Sequence, residues 1–264
     1  DQRLVAYIVA STKGLDESEL QQWEDEQVGQ WQDLWQTTYS DAGEADDVTT
    51  DFRSWNSSYS GEPIPLTEMR SWLADATANI DALQPNRVLE IGSGSGLIAA
   101  RIAPRCEKYT ATDFSAASIA KLEKLRSTRP ELRKLELAQC SADQIGTFAE
   151  HDYDTIILNS VAQYFPDIGY LLQFLRTAVD KISDGGYIFL GDLRSMTLLT
   201  AYHTSVQLFQ AASDLALTEL AELIRQRTET EEELLIDPAF FVALKNELPR
   251  ITGIRFNLKR SAYR

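Results

Sequence analysis

The stretch Val88-Leu89-Glu90-Ile91-Gly92-Ser93-Gly94-Ser95-Gly96-Leu97 constrains this chain more than any other, because an apolar strand runs there into a glycine-rich turn and then a helix. Glycines let the backbone approach a ligand closely, and a helix N-terminus offers unpaired N–H groups to an anion. A nucleotide-type site on an α/β sheet is the expectation. The dinucleotide fingerprint G-x-G-x-x-G needs glycine at the position of Leu97, whereas the third glycine here is Gly96, so a nicotinamide oxidoreductase is disfavoured. A phosphate-cradling P-loop fails as well, since no Gly-Lys-Ser/Thr follows the turn.

Around this turn, strands and helices alternate. Strands are predicted at Arg87 to Ile91, Lys108 to Thr112, Leu135 to Gln139, Thr155 to Leu158, Tyr187 to Leu190 and Ile254 to Leu258, with helices between them. Such alternation means βαβ units on a mostly parallel, doubly wound sheet. Upstream, Leu4 to Val9 reads as a short strand. From Leu15 to Tyr39, Leu20, Trp23, Trp31, Leu34 and Trp35 recur at helical spacing, an aromatic-heavy helix suited to packing on the main domain. Ser40 to Pro65 reads as a long, lid-like loop in which Trp55 and Tyr59 are expected to cover something. A helix should begin at the capping residue Thr67 and run to about Leu83. Leu198 to Leu234 exceeds one crossover helix and predicts an inserted helical cap over the carboxyl ends of the strands, where open α/β sheets bind ligands.

Charge narrows the partners. Forty acidic against twenty-five basic residues give a formal charge of −15, which repels a phosphate backbone unless a basic stripe compensates. The densest basic stretches, Arg126 to Lys134 and Lys259 to Arg264, are short and interrupted, so no nucleic-acid partner is expected. Cys106 and Cys140 are far apart and lack a metal-ligand pairing, which predicts no disulfide, no metal and a reducing cytoplasmic location. No run has the apolar length to span a bilayer, so no membrane partner is expected. The chain opens without Met and enters a strand-like run at once, as a piece cut from a larger protein does.

The strand, Glu90 and the glycines Gly92, Gly94 and Gly96 resemble motif I of class I methyltransferases, Rossmann-like proteins whose turn wraps the amino-acid part of S-adenosylmethionine (SAM). Longer motifs look like the methyltransferase domains embedded in nonribosomal peptide synthetases and related polyketide assembly lines. They are Trp55-Asn56-Ser57-Ser58-Tyr59-Ser60-Gly61-Glu62-Pro63-Ile64-Pro65, Leu158-Asn159-Ser160-Val161-Ala162-Gln163-Tyr164-Phe165-Pro166, Gly191-Asp192-Leu193-Arg194-Ser195 with His203 following, and Glu232-Glu233-Leu234-Leu235-Ile236-Asp237-Pro238. Arg3 to Val9 resembles the adenylation-domain strand that precedes such an insertion. Two departures are Ser93 and Ser95, where the family commonly carries Cys and Thr, and an end at Arg264 before the last strand of the sheet.

The resemblance implies residues 1–10 as a remnant of the adenylation domain, 11–66 as N-terminal helix and lid loop, and 67–264 as methyltransferase core with the cap at 197–236. It also implies a reaction: methyl transfer from SAM, leaving S-adenosylhomocysteine (SAH), to the α-amine of an aminoacyl or peptidyl group on the phosphopantetheine arm of a carrier (thiolation) domain. O-methylation of a hydroxyl is the near alternative, and a non-catalytic cofactor-binding scaffold is a further one. An adenylation domain flanks the expected assembly, and the excised domain is expected to be monomeric.

Candidate residues follow. Glu90, Gly92, Gly94, Gly96 and Phe114 are expected at the cofactor, with Ser160 and Tyr59. Asp113 ends the second strand, where a carboxylate accepts from both ribose hydroxyls or caps the helix before Ser115. Ala142 and Asp143 follow the third strand, where this fold contacts adenine. His203 is the candidate base or a satisfied core histidine; His151 falls at the opposite end of strand four. Glu233 either orients His203 or belongs to a solvated acidic run, and Asn159 either meets the nucleophile or pins its loop. Tyr164 and Tyr59 shield a sulfonium or pack, Trp55 lies with the substrate, and Arg194 pairs with a carboxylate or anchors the cap.

Overall fold

Alternate residues of each buried strand go to opposite faces, and this builds two cores around one sheet. Val88 joins one apolar cluster and Leu89 and Ile91 the other; Ile157 and the pair Ile156 and Leu158 divide the same way. Each such side chain contributes roughly 1.5–3 kcal/mol on leaving water. The structure is a computed structural model that describes residues 17–41, 51–52 and 55–259, so the strand expected at Leu4 to Val9 lies outside the described residues.

Chain order is α1 (Glu17–Asp41), α2 (Leu66–Asp81), β1 (Arg87–Ile91), α3 (Ala99–Ile102), β2 (Lys108–Asp113), α4 (Ala116–Thr128), β3 (Leu135–Gln139), β4 (Tyr153–Asn159), α5 (Ile168–Lys181) and β5 (Ile182–Gly191). Then follow β6 (Arg194–Ser195), α6 (Leu199–Gln210), α7 (Leu217–Glu229), β7 (Leu235–Ile236) and α8 (Pro238–Glu247). The main sheet has the order β3-β2-β1-β4-β5 and every pair in it is parallel. The chain reverses direction across the sheet between β1 and β4, and the loops leaving these two strands diverge there, opening the crevice that doubly wound folds use for ligands. The Rossmann-like, mostly parallel architecture expected of the sequence is the one found.

Several local expectations need correction. Ile254 to Leu258 does not form a strand; it pairs with no neighbour among the described residues, and Phe256 and Leu258 are largely exposed. Periodicity proposes a strand, but only a ladder partner makes one. Thr67 does not cap α2, because Pro65 holds the cap position and makes no side-chain cap bond. The helix after the glycine turn is one turn of α-helix, Ala99–Ile102, passing into a 3-10 turn that contains Pro104. Proline cannot donate into a continuing helix, so the helix stops after one turn.

β5 starts five residues before the predicted Tyr187, at Ile182. Gly185, with φ of 79°, and a register shift between Tyr153 and Thr155 accommodate the glycine pair within the longer strand. Short parallel β6 and β7, absent from the sequence reading, tie the segment after β5 to the far end of the two helices α6 and α7. Among the described residues no helix is long and apolar enough to cross a membrane.

Candidate active site

The glycine turn is shaped by what lies behind it. Gly92, Gly94 and Gly96 have φ of 68°, 54° and 84°, backbone that L side chains rarely adopt. A Cβ on Gly92 would meet Val161 Cγ2 at 2.3 Å, and one on Gly96 would meet Leu122 Cδ2 at 2.5 Å. The turn is therefore pressed onto the loop after β4 on one side and onto α4 on the other. Ser93 locks it to β2, with its amide and its hydroxyl both donating to the Thr112 carbonyl at 2.9 and 3.0 Å.

Asp113 closes the next strand and is 3% exposed. Its Oδ2 accepts from the Gly94 amide at 2.8 Å and its Oδ1 from the Ser115 amide at 2.9 Å. Burial pushes its pKa up, while these two amides pull the other way. The capping of α4 falls to Ser115, whose Oγ accepts from the Ser118 amide. Asp113 thus joins the two ligand-facing loops, and each oxygen keeps a second lone pair for a hydroxyl.

Glu90 lies deeper, 3% exposed, with the Tyr109 hydroxyl donating to its Oε2 at 2.8 Å. Burial, the largest cause, and the nearby Asp113 charge raise its pKa from 4.5 to about 7, against the Tyr109 hydrogen bond. The folded value lies above the unfolded one, so folding favours the protonated acid. The resulting stability is whole below about pH 4.5 and is lost as pH rises to about 7, a span on the order of 3 kcal/mol. Glu90→Gln, which keeps an acceptor for Tyr109 without the charge, is expected to raise the melting temperature of the cofactor-free chain at pH 8 and hardly change it at pH 5. Equal shifts at both pH values in thermal denaturation would overturn this.

A cleft of about 2620 Å³ runs over the carboxyl ends of β1, β2, β4 and β5 and continues along the outer edge of β5 beside residues 250–259. Its wall includes the predicted site residues Glu90, Gly92, Gly94, Asp113, Phe114, Ala142, Asn159, Ser160, Tyr59, Trp55, Tyr164, Arg194 and Glu233. Gly96, Asp143 and His203 are outside that wall. Gly96 packs behind the turn, and Asp143 accepts from the Tyr170 hydroxyl at 2.7 Å, which occupies one oxygen of the carboxylate expected at adenine. His151 is exposed, as its position at the opposite end of β4 implied.

The expected pairing of Glu233 with His203 is not the one formed. His203, 9% exposed on α6, has Nε2 3.1 Å from Glu231 Oε2, two residues earlier. Glu233 instead binds Arg194 Nε. The cause is the β6–β7 ladder, which sets Arg194 opposite Leu235 and so brings the residues just before β7 against the guanidinium. Arg194 also stacks 4.7 Å from the Tyr202 ring centroid, so it anchors the segment beyond β5.

Helix α1 contributes more than packing. Val28, Trp31 and Trp35 reach the cleft, and the side-chain amide of Gln32 donates to the Phe114 carbonyl at 3.1 Å. Gln36 Oε1 accepts from the Ser115 hydroxyl at 2.9 Å. Tyr164 sits between the two tryptophans, 4.6 and 5.5 Å from their centroids, and burial pushes its hydroxyl up to about 12. Tyr59 reaches α6, its hydroxyl 3.0 Å from Ser205 Oγ, while Trp55 tilts onto Trp72 at 4.7 Å.

Sequence reasoning missed Gln163, Trp72 and Asp192. Gln163 is 9% exposed and lines the cleft, and its Oε1 is buried with no hydrogen-bond partner. A buried acceptor left unpaired costs about 1–3 kcal/mol, which a ligand carrying an N–H or O–H removes. Its signal was Gln in an otherwise apolar run beside the expected ligand. Asp192 gathers Trp72 Nε1 at 2.8 Å and the Ser160 hydroxyl at 2.5 Å on Oδ2, and Lys259 Nζ on Oδ1. Ser160 and Asp192 both have positive φ, 58° and 60°, strain of about 1–3 kcal/mol each that tends to persist at ligand-handling sites. The positive-φ turn, the joining carboxylate of Asp113 and the unpaired Gln163 acceptor fit an adenosyl amino-acid cofactor beside an acceptor substrate. Among the described residues no cluster of potential ligands could hold a metal ion.

Comparison with known proteins accords with this geometry. The methyltransferase domain family matches residues 89–188. Chondramide synthase of Chondromyces crocatus is 40% identical over 262 residues, 99% of this chain and 7% of the synthase. The nonribosomal peptide synthetase asqK of Emericella nidulans is 34% identical over 258 residues, 94% of this chain and 10% of that protein. The chain thus spans a tenth or less of the length of these relatives. The solved plantazolicin methyltransferase BpumL, in complex with a triazolic desmethylPZN analog and SAH, shares the fold at 14% identity with a TM-score of 0.50, over 90% of this chain and 80% of that one. With the glycine turn and the sheet order, these likenesses have one meaning: the chain is a class I, SAM-dependent methyltransferase domain of the nonribosomal peptide synthetase type.

Proposed function

We propose that the domain methylates the α-amine of an aminoacyl or peptidyl thioester held on the phosphopantetheine arm of a carrier domain, within a synthetase that also supplies an adenylation domain. The observation that carries this reading is the pair of neutral amide side chains in the cleft lining after β4, Asn159 and Gln163, the latter with a buried Oε1 that has no hydrogen-bond partner. Bound SAM supplies an electrophilic methyl group, and the rest is alignment and management of one proton.

An α-amine titrates near 8, so about a tenth of it is already the free nucleophile at neutral pH. It needs acceptors that hold its N–H bonds in line and favour the ammonium that develops. A hydroxyl nucleophile needs a strong base, and His203 is off the cleft wall and held by Glu231. That arrangement favours nitrogen over oxygen. Glu90, Asp113 and the turn from Gly92 to Gly94 bind the cofactor, with Phe114, Ala142, Ser160 and Tyr59 around it. Asn159 meets the nucleophile, and Tyr164 and Trp55 bound the substrate channel. Arg194 and Glu233 hold the wall beneath α6, and His203 with Glu231 supports α6 behind that wall.

Mass spectrometry of amino-acid thioester mimics incubated with SAM tests this. One added methyl, placed on nitrogen by fragmentation, is expected for wild type. His203→Ala and Glu233→Ala are each expected to be slower by about tenfold, through the wall they support and its alignment of the substrate. Methylation placed on oxygen, or cofactor binding without methylation of either acceptor, would replace this reading with O-transfer or with a scaffold.

A further inference from the structure

At the carboxyl ends of β4 and β5 a hydrogen-bonded chain runs from the buried face of α2 to the cleft. Trp72 Nε1 and the Ser160 hydroxyl both donate to Asp192 Oδ2, at 2.8 and 2.5 Å. Asn159 Nδ2 in turn donates to Ser160 Oγ at 3.0 Å. The polarity of this chain is fixed at one end. An ionised carboxylate only accepts, so Ser160 must donate to it, and its lone pairs are then left to accept from Asn159. The nitrogen of the Asn159 amide is thereby committed, and its oxygen is the atom left for the cleft. Gly191 makes the space: a Cβ there would fall 1.9 Å from Asn159 Oδ1. The two residues that turn the chain into this geometry, Ser160 and Asp192, are both non-glycine residues held at positive φ.

We infer that Asp192 is a positioning residue for methyl transfer, acting through Ser160 to present Asn159 Oδ1, and not its amide nitrogen, to the N–H of the incoming amine. The inference rests on the amine reading above. Reversing the Asn159 amide would set a donor against a donor and turn an aligned nucleophile away from the methyl group. Asp192→Asn weakens the restraint that prevents this, because a neutral amide holds the Ser160 hydroxyl less firmly than a carboxylate does and sets its nitrogen against either Lys259 Nζ or the Trp72 and Ser160 donors. Ser160→Ala removes the link itself while leaving Asp192 with Trp72 and Lys259.

Two measurements on the full chain test the assignment. In cofactor-free protein labelled with 15N-asparagine, the Asn159 side-chain amide protons are expected to be protected from exchange in wild type and to exchange at least tenfold faster in Asp192→Asn and Ser160→Ala. With SAM and an aminoacyl N-acetylcysteamine thioester, each variant is expected to lose about 30-fold in kcat, and Asp192→Asn to keep its calorimetric SAH affinity within threefold. The double variant should be no slower than the slower single one, because both changes break one chain. Unchanged amide exchange, an unchanged kcat, losses that multiply in the double variant, or a fall in the kcat of Asp192→Asn matched by its SAH affinity would each overturn the assignment. A wild type that does not methylate the amine sinks the functional reading and this inference with it; an active wild type with an indifferent Asp192→Asn sinks the inference alone. Should Asp192→Asn not fold, Ser160→Ala still gives the amide-exchange and kcat readouts.

Discussion

Gly191→Ala is expected to lower kcat by about 100-fold while SAH still binds within a few-fold of wild type. The added methyl would sit 1.9 Å from Asn159 Oδ1, 2.8 Å from its Cγ and 2.9 Å from Phe189 Cε1. No strand residue can move far here, because Gly191 is paired with Asn159 across the β4–β5 ladder and its carbonyl accepts from the Ser160 amide at 3.1 Å. Asn159 must therefore rotate away and give up its bond to Ser160. Overpacking of this kind costs about 1–3 kcal/mol of stability, and a misplacement of about 1 Å at a reacting centre costs on the order of 10²-fold in rate. Gly191 has ordinary backbone torsions, so the loss comes from contact and not from φ. Steady-state kinetics beside calorimetric SAH binding check it. A variant that keeps its kcat would mean Asn159 has no part in the transfer.

The second large effect concerns the cofactor. Gly92→Ala is expected to weaken SAH binding by about 100-fold or more and to lower stability by about 2–4 kcal/mol. Two costs add there. A φ of 68° is strained for alanine by about 1–3 kcal/mol, and the new Cβ would overlap Val161 Cγ2 at 2.3 Å. Val161 lies between Ser160 and Gln163, so relieving the overlap shifts the loop after β4 together with the turn. Adding Val161→Ala to Gly92→Ala separates the two costs: the contact is relieved, the backbone strain stays, and part of the affinity should return. Isothermal calorimetry on the single and double variants measures this. Full recovery would show that the torsion is immaterial, and no recovery that the contact is.

Both predictions depend on glycines that the sequence displays openly, yet the sequence told different things about each. Gly92 was legible because it follows an apolar strand within one continuous motif. Gly191 was visible only as part of a longer resemblance, since its importance lies in the side chain of Asn159 on the neighbouring strand. The same division holds for the acids. Asp113 was found from its place at a strand end, and its partners are the amides of adjoining loops. Asp192 was passed over, because Trp72 is 120 residues and Ser160 32 residues away along the chain.

What the sequence determined by itself was the parallel doubly wound sheet, the glycine turn and the kind of domain. Strand alternation, helical spacing and the demand for glycine at positive φ are properties of short segments, and they survive whatever the rest of the chain does. What only the tertiary structure decided was partnership. It gave His203 to Glu231 and Arg194 to Glu233, left Ile254 to Leu258 without a ladder, paired Arg194–Ser195 with Leu235–Ile236, and joined Trp72, Asp192, Ser160 and Asn159 into one chain. Each of these depends on where distant segments come to rest within a hydrogen-bond length of one another. A shift of two residues along one strand, invisible to composition or period, is enough to exchange one glutamate for another.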